Sequence, residues 1–324
     1  MSKSHNYCVI LAGGTGSKLW PYSRLEFPKQ FHELIPTGKS FFRHTVERCL
    51  QIVPPENVII VTTKRYHDLV RSQAPQIPEA NVFEEPHHRN TSPSAAYASF
   101  ALLKRDPEAV LSIVPSDNII RDTAAFRADL DSAMAFASAH DAIVALGIRP
   151  DRPDASYGYI QASGGKDALG RGETLRVKTF TEKPDPEIAR VFIASGEFLW
   201  NSGIFVFRAD VYARELRSHL PELSAWFGGW EDAIGTEAEE EFIAKAYSGI
   251  EKNSLAQGIM EKTSRAWVYP ATFDWAEVGT WNSVGKYLCT RDAHGNDTLN
   301  EKVVIKDCRG TLAFSTDRHK MIAV

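Results

Sequence analysis

The sequence predicts an α/β protein in which helices flank a mixed, mainly parallel β-sheet, followed by a short C-terminal β piece. Two observations lead to this fold class. Apolar runs typical of strands alternate with helix-like segments over roughly the first half of the chain. These runs are apolar throughout, as expected for strands of a parallel sheet that is covered on both faces.

The first half of the chain contains the clearest series of elements. Strands are predicted at residues 7–12, 58–62, 82–83, 110–114 and 142–146, and helices at residues 66–73, 92–104 and 123–140. In such sheets, ligands bind beyond the carboxyl ends of the strands. Gly13-Gly14, Arg89-Asn90 and Ser116-Asp117 follow three of these strands and are therefore predicted to converge.

The second half of the chain is less regular. Residues 156–207 are predicted to be rich in strands, with Gly and Pro interruptions. Residues 209–260 are predicted to be largely helical, with the acidic run at 237–241 on a solvated helix face. After a polar linker, short strands are predicted at residues 303–305, 311–314 and 321–324.

The composition is that of an ordinary globular protein. The 324 residues are 43% hydrophobic and 24% charged, enough for one large domain and a smaller piece. The net charge of −4 argues against a nucleic-acid-binding surface, and no apolar run is long enough to predict a membrane helix. The cysteines lack paired spacing and the first residues are polar, which favours free thiols and a cytoplasmic location.

The glycine-rich turn after the first strand indicates phosphate binding. Without Cβ atoms, Gly13, Gly14 and Gly16 can turn tightly and aim backbone N–H groups at phosphate oxygens. The turn does not match the dinucleotide fingerprint, because Leu19 stands where that pattern needs its third glycine. The Gly-Lys-Ser of residues 38–40 does not complete a P-loop either, because Glu33 replaces the required earlier glycine.

A tight connection without a ligand is the alternative for this turn taken alone. Trp20-Pro21 follows the turn, and Pro-Lys-Gln-Phe follows at residues 28–31. This combination at this spacing favours phosphate binding over a plain connection.

A series of motifs continues along most of the chain. They lie at residues 11–24, 28–31, 85–93, 114–118, 157–160, 180–184, 200–205 and 273–281. Each is a weak signal alone, but in this order, over about residues 6–290, the chain resembles the sugar-1-phosphate nucleotidyltransferase family. Trp20 and Gln30-Phe31 fit its mannose-1-phosphate guanylyltransferase (GDP-mannose pyrophosphorylase) branch better than its thymidylyl- or uridylyltransferase branches.

The resemblance implies a Rossmann-like nucleotidyltransferase catalytic domain at residues 1–290. Residues 291–324 are then a linker and a short C-terminal β segment, which is either minimal or truncated. The implied reaction transfers GMP from GTP to mannose 1-phosphate, giving GDP-mannose and pyrophosphate, by in-line attack of the sugar phosphate on the α-phosphorus. GTP, mannose 1-phosphate and GDP-mannose are the implied small-molecule partners, and a homodimer is the implied assembly.

The resemblance also implies site residues. The catalytic set is Lys18, Lys29 and Asp117, in which the two lysines contact phosphates. The nucleotide is expected to be bound by Leu11, Ala12, Gly13, Gly14, Thr15, Gly16, Ser17, Arg89, Asn90, Pro115 and Ser116. The sugar phosphate is expected to be bound by Tyr157, Gly158, Glu182, Lys183 and Asn201.

Mg²⁺ is the implied cofactor, with Mn²⁺ as its alternative. The resemblance assigns Asp117 and Glu277 as its ligands, with Asp274 as a second choice beside Glu277. The alternative role for Asp117 is that of a helix N-cap or an Asx-turn residue.

Three residues in the implied site depart from the family pattern. Lys18 stands where the family usually has arginine, Asn118 where this branch usually has histidine, and Glu277 where aspartate is more common. Two alternatives follow. The chain acts on another sugar 1-phosphate or another nucleotide, or it is a catalytically weak regulatory protein that binds GDP-mannose.

Overall fold

A computed structural model of the chain describes residues 5–35, 37–299, 302–313, 315 and 320–324. Residues 1–4 of the polar N-terminal segment and residue 314 of a predicted strand lie outside the described residues. Within the described ranges, no helix is both long enough and apolar enough to cross a membrane.

The helices and strands of the first half follow the predicted order. The α-helices are α1 (Phe41–Cys49), α2 (His67–Gln73), α3 (Thr91–Arg105), α4 (Thr123–Ala139), α5 (Gly165–Ala168), α6 (Pro186–Ser195), α7 (Ala209–His219), α8 (Pro221–Trp226), α9 (Trp230–Ala233), α10 (Glu239–Gly249) and α11 (Trp281–Leu288). The strands are β1 (Asn6–Leu11), β2 (Val58–Thr63), β3 (Val82–Glu85), β4 (Val110–Pro115), β5 (Asn118–Ile119), β6 (Ile143–Ile148), β7 (Tyr159–Ala162), β8 (Leu175–Thr181), β9 (Phe198–Arg208), β10 (Ala266–Pro270), β11 (Ala276–Glu277), β12 (Thr290–Arg291), β13 (Asp297–Thr298), β14 (Val303–Val304), β15 (Leu312–Ala313) and β16 (Ile322–Ala323).

The main sheet has nine strands in the order β3-β2-β1-β4-β9-β6-β10-β8-β7. β1 pairs in parallel with β2 and β4, so that Leu11 lies opposite Val61 on one side and Pro115 on the other. The loops that follow β1 and β4 therefore leave the sheet side by side. The predicted mixed sheet flanked by helices is confirmed.

The second part of the sheet is built on the long strand β9, which runs antiparallel to β4, β6 and β7. Its Asn201 backbone N–H donates to the Gly158 carbonyl at 2.8 Å, just before β7 begins. β9 thus borders both the strand that leads to Asp117 and the strand that follows Tyr157-Gly158.

Two layers of buried side chains cover the two faces of the main sheet. Because successive strand residues point to opposite faces, Val9 joins one layer and Ile10 joins the other. A smaller apolar cluster packs Leu19 against Ile119 of β5 and Val278. This cluster fixes the segment after the glycine-rich turn against the two-stranded β5–β11 ladder.

The strands after α11 form two small sheets of their own, β12-β13-β15 and β14-β16. α11 begins with a capping box, in which Thr280 and Ser283 bond to each other's backbone N–H groups. This cap fixes the start of α11 beside Glu277.

Candidate active site

An open cavity of about 850 Å³ lies where the sequence predicts convergence, at the carboxyl ends of β1 and β4. Most of the predicted site residues line it: Leu11, Gly13, Gly14, Gly16, Lys18, Asn90, Pro115, Ser116, Asp117, Tyr157, Gly158, Glu182, Lys183, Asn201 and Glu277. The volume is in the range of pockets that hold a small-molecule ligand.

The remaining predicted residues lie outside the described lining: Ala12, Thr15, Ser17, Lys29 and Arg89. Arg89 donates from Nη2 to the Tyr247 carbonyl in α10, at 3.4 Å. Its neighbour Asn90 has a φ of 72° and accepts a hydrogen bond from the Thr91 N–H at 2.9 Å. Asn90 therefore lines the cavity and also caps α3.

Buried side chains hold the glycine-rich turn from behind. Gln30 is only 2% exposed, and its Nε2 donates to the carbonyls of Ala12 and Gly14, both at 2.8 Å. Gly16 has a φ of 58°, and a Cβ added there would lie 2.6 Å from the Lys29 Cβ. The sequence places Gln30 in a motif but does not reveal this role, which depends on contacts across the fold.

Lys29 is 4% exposed and lies beneath the cavity. Its Nζ lies 2.5 Å from Asp117 Oδ2 and donates to the Val278 carbonyl at 2.8 Å. Lys29 therefore connects the turn that carries Asp117 to the segment directly after Glu277. Its predicted contact with a phosphate stays a prediction.

Asp117 and Glu277 are brought together by the β5–β11 ladder, in which Glu277 lies opposite Asn118. Burial raises the pKa of Glu277, and the negative charge of Asp117 raises it further, whereas Lys29, Lys183 and Lys18 lower it. Two carboxylates this close repel each other. Because a divalent cation between them would relieve the repulsion, the pair fits a metal site.

Among the residues that the structure describes, no group of three or more His, Cys, Asp or Glu side chains is arranged to hold a metal ion. Mg²⁺ is commonly bound by one or two carboxylates together with substrate phosphates and water. The Asp117–Glu277 pair therefore suits an ion whose other ligands come from the substrate.

Asp274, the second choice for this site, has a different role. Its Oδ1 accepts hydrogen bonds from the backbone N–H groups of Arg121 and Asp122, at 2.8 and 2.7 Å. Its Oδ2 lies 3.6 Å from Arg121 Nη1. Asp274 thus fixes the segment before α4 and is not part of the described cavity lining, whereas Glu277 is.

The opposite end of the cavity contains a carboxylate in a close-fitting pocket. Glu182 Oε2 is buried, and within the described part of the chain it has no hydrogen-bond partner. A Cβ added at Gly158 would lie 2.5 Å from this oxygen and 3.3 Å from the Asn201 Cβ. Glu182 Oε1 lies 3.1 Å from Lys183 Nζ. The pocket thus offers an unpaired acceptor beside a cation.

Several residues of the cavity wall carry no signal in the sequence. The Arg152 guanidinium lies over the Trp200 and Tyr157 rings, 4.9 and 6.0 Å from their centroids. Ser254 and Gln257, from a segment distant in sequence, line the wall near Asn90. No motif or periodicity marks them, because their place depends on how α3 packs against the later helices.

Glu85 ends β3 beneath the glycine-rich turn and is 1% exposed. Its Oε1 accepts hydrogen bonds from Ser94 Oγ at 2.6 Å and from the Tyr247 hydroxyl at 2.5 Å. Burial raises the pKa of Glu85 to about 7, although both hydrogen bonds lower it. A Cβ added at Gly13 would lie 3.4 Å from Glu85 Oε2. Glu85 belongs to the motif at residues 85–93, but the sequence analysis assigns it no role.

Comparison with known proteins shows which family the chain resembles in sequence. The family model described as nucleotidyl transferase matches residues 7–290. Xanthan biosynthesis protein XanB of Xanthomonas campestris pv. campestris is 35% identical, over 98% of this chain and 66% of its own length. Mannose-1-phosphate guanylyltransferase of Escherichia coli K12 is 34% identical, over 93% of this chain and 64% of its own length. The chain therefore spans slightly less than two thirds of the length of these relatives.

The fold also matches a solved structure. A crystal structure of the Thermus thermophilus protein named mannose-1-phosphate geranyltransferase superimposes with a TM-score of 0.84 at 30% identity. The match covers 99% of this chain and 90% of that one. The likeness thus extends over both the main sheet and the short strands that follow it.

Proposed function

Because the chain belongs to the nucleotidyl transferase family, we propose that it transfers GMP from GTP to mannose 1-phosphate, giving GDP-mannose and pyrophosphate. The observation that carries the proposal is the composition of one cavity. It combines a glycine-rich turn, a pair of carboxylates backed by a buried lysine, and the pocket around Glu182. These three parts suit a triphosphate, a cation and a sugar phosphate.

In the proposed reaction, a phosphate oxygen of the sugar phosphate forms a bond to the α-phosphorus of GTP. The bond from that phosphorus to the oxygen bridging to the β-phosphate breaks, and pyrophosphate leaves with the electron pair. Both reactants are anions, so the protein must offset charge and align them. Lys18 lines the cavity beside the glycine-rich turn and offsets charge on the triphosphate.

Asp117 and Glu277 would hold Mg²⁺, with Mn²⁺ as a substitute. When bound, the ion offsets negative charge on oxygens of both reactants. Lys29 fixes the orientation of Asp117 through their ion pair and holds the segment after Glu277 through the Val278 carbonyl.

At the other end of the cavity, Glu182 binds the sugar. Its unpaired Oε2 accepts a hydrogen bond from a sugar hydroxyl, and Lys183 binds the sugar phosphate. Gly158 lets the sugar approach closely, because a Cβ there would collide with Glu182. Asn201 lies on the same wall and completes the pocket.

The preference for guanine and mannose is supported by the named relatives. The direct test is to measure pyrophosphate release for GTP, ATP, UTP and dTTP, each with mannose 1-phosphate and with glucose 1-phosphate, in Mg²⁺. We expect release only with GTP and mannose 1-phosphate, and a loss of at least about 1,000-fold for Asp117→Asn. A strong preference for UTP or dTTP would overturn the guanylyl assignment. No release, with tight GDP-mannose binding by calorimetry, would favour the regulatory alternative.

The proposal includes a cytoplasmic location, where GTP is available, and a homodimer, as in the resemblance. It also includes a boundary near residue 290, which is supported by the separate small sheets after α11. Cell fractionation and light scattering of the purified chain test the first two, and limited proteolysis tests the third.

A further inference from the structure

A buried arginine lies beneath the turn that carries Asp117. Arg48, in α1, is 4% exposed, and its Nη2 donates to Thr45 Oγ1 at 2.9 Å and to the Asn118 carbonyl at 3.4 Å. Thr45 Oγ1 in turn donates to the Ser116 carbonyl at 3.3 Å. Arg48 and Thr45 therefore contact the carbonyls on either side of Asp117.

This position is costly for a guanidinium. No carboxylate of the described residues lies within ion-pair distance of Arg48, and its Nε has no hydrogen-bond partner among them. The charge of Asp274 acts on it only from beyond that distance, and Arg48 also lies 5.7 Å from the centroid of the Phe126 ring. A buried charge with so few partners destabilises the fold. We therefore look for a role of Arg48 other than stabilising the fold.

The contacts of Arg48 indicate that this role concerns the 116–118 turn. Asn118, whose carbonyl accepts from Arg48, lies opposite Glu277 in the β5–β11 ladder. The same turn presents Asp117 to Lys29. A shift of the turn would therefore move Asp117 relative to both Glu277 and Lys29.

We propose that Arg48 is a positioning residue, which acts through Thr45 and the Asn118 carbonyl to hold the 116–118 turn where Asp117 and Glu277 can share one cation. The inference rests on the metal site of the proposed function. It assigns to α1, which has no residue in the described cavity lining, a part in metal affinity.

The test measures Mn²⁺ binding by electron paramagnetic resonance, in the presence of GTP without sugar phosphate, alongside unfolding in urea. Arg48→Met should weaken Mn²⁺ binding about tenfold, Arg48→Lys about threefold, and Thr45→Val by an intermediate factor. Val46→Ala is the matched control, because Val46 is fully buried in the same helix and is an apolar member of the α1 core. It should reduce stability and leave Mn²⁺ binding unchanged.

Each outcome bears on a different claim. Unchanged Mn²⁺ binding in folded Arg48→Met, or equal weakening in Val46→Ala, would overturn the positioning role and leave the proposed activity standing. Wild-type protein that binds Mn²⁺ but forms no GDP-mannose would overturn the activity and leave the role of Arg48 standing. Wild-type protein without measurable Mn²⁺ affinity would overturn the metal site and the inference together.

Discussion

The two ends of the cavity are built differently. At the proposed nucleotide end, the glycine-rich turn follows a parallel strand, and the Gln30 side chain donates to its backbone carbonyls. At the proposed sugar end, side chains on and next to antiparallel strands line the cavity, and Glu182 Oε2 has no hydrogen-bond partner among the described residues.

The difference predicts how the ends respond to substitution. A side chain behind the nucleotide end acts through the loop that it supports, so its loss should change stability together with nucleotide use. Under the proposed function, a side chain at the sugar end would contact substrate, so its loss should change the use of one substrate and leave stability nearly unchanged. The following variants test this contrast.

The largest expected effect is on stability at the nucleotide end. Since the pKa of Glu85 is raised to about 7 from 4.5, folded Glu85 keeps its proton between these values while the unfolded chain loses it. The free energy of unfolding of the wild type, relative to that of Glu85→Gln, should therefore not change with pH below 4.5. It should fall by about 3 kcal/mol between pH 4.5 and pH 7 and stay constant above pH 7. Urea unfolding at several pH values measures this. A difference between wild type and Glu85→Gln that does not change with pH would contradict the prediction.

At the sugar end, Glu182→Gln should raise KM for mannose 1-phosphate about 100-fold, because it removes a charged acceptor from a sugar hydroxyl. KM for GTP should stay within about threefold, and stability should change little. Steady-state kinetics with each substrate varied in turn provide the measurement. An equal rise in both KM values would remove the distinction between the two ends.

The tight turn at the nucleotide end allows a matched comparison of glycines. Gly16→Ala should destabilise by about 2 kcal/mol, because φ is positive and the added Cβ would collide with Lys29. Gly14→Ala should cost less than about 0.5 kcal/mol, because no atom lies within 4 Å of its added Cβ. If denaturant unfolding gave the same loss of stability for Gly16→Ala and Gly14→Ala, the contacts behind Gly16 would not stabilise the turn.

The smallest expected effect comes from Lys18→Arg. A guanidinium offers a two-pronged contact with phosphate that lysine lacks, so turnover should rise about threefold with KM for mannose 1-phosphate unchanged. Pyrophosphate release at saturating substrate is the measurement. A fall in turnover would mean that the site is adapted to lysine, and no turnover in either form would favour the GDP-mannose-binding alternative.

The sequence predicts the main strands because each is a continuous apolar run, as in β1, β2 and β4. It does not predict the β5–β11 ladder, because strands of two residues are too short to show a period. That ladder places Glu277 at the cavity, whereas Asp274, only three residues before it, accepts hydrogen bonds from backbone N–H groups just before α4.

Sequence patterns do not predict the role of a side chain when that role depends on contacts between segments distant in sequence. No motif in the sequence includes Arg48, and only its packing beneath the 116–118 turn distinguishes it. Arg89 follows the family motif, and its Nη2 donates to the Tyr247 carbonyl of a helix distant in sequence. A motif identifies the segment near a site, and packing decides which side chain enters it.

The strand β9 has one further consequence. It pairs with β4 through Phe205 and carries Asn201 at the sugar pocket. Between these two residues the strand is irregular, because Gly203 has a φ of 78° and the pairing with β6 shifts register there. Because β9 is hydrogen-bonded to strands on both sides, it neither stretches nor slides, and it fixes the distance between the two ends of the cavity. Under the proposed function, two substrates whose reacting atoms did not meet across that fixed distance would be rejected, however well each bound alone.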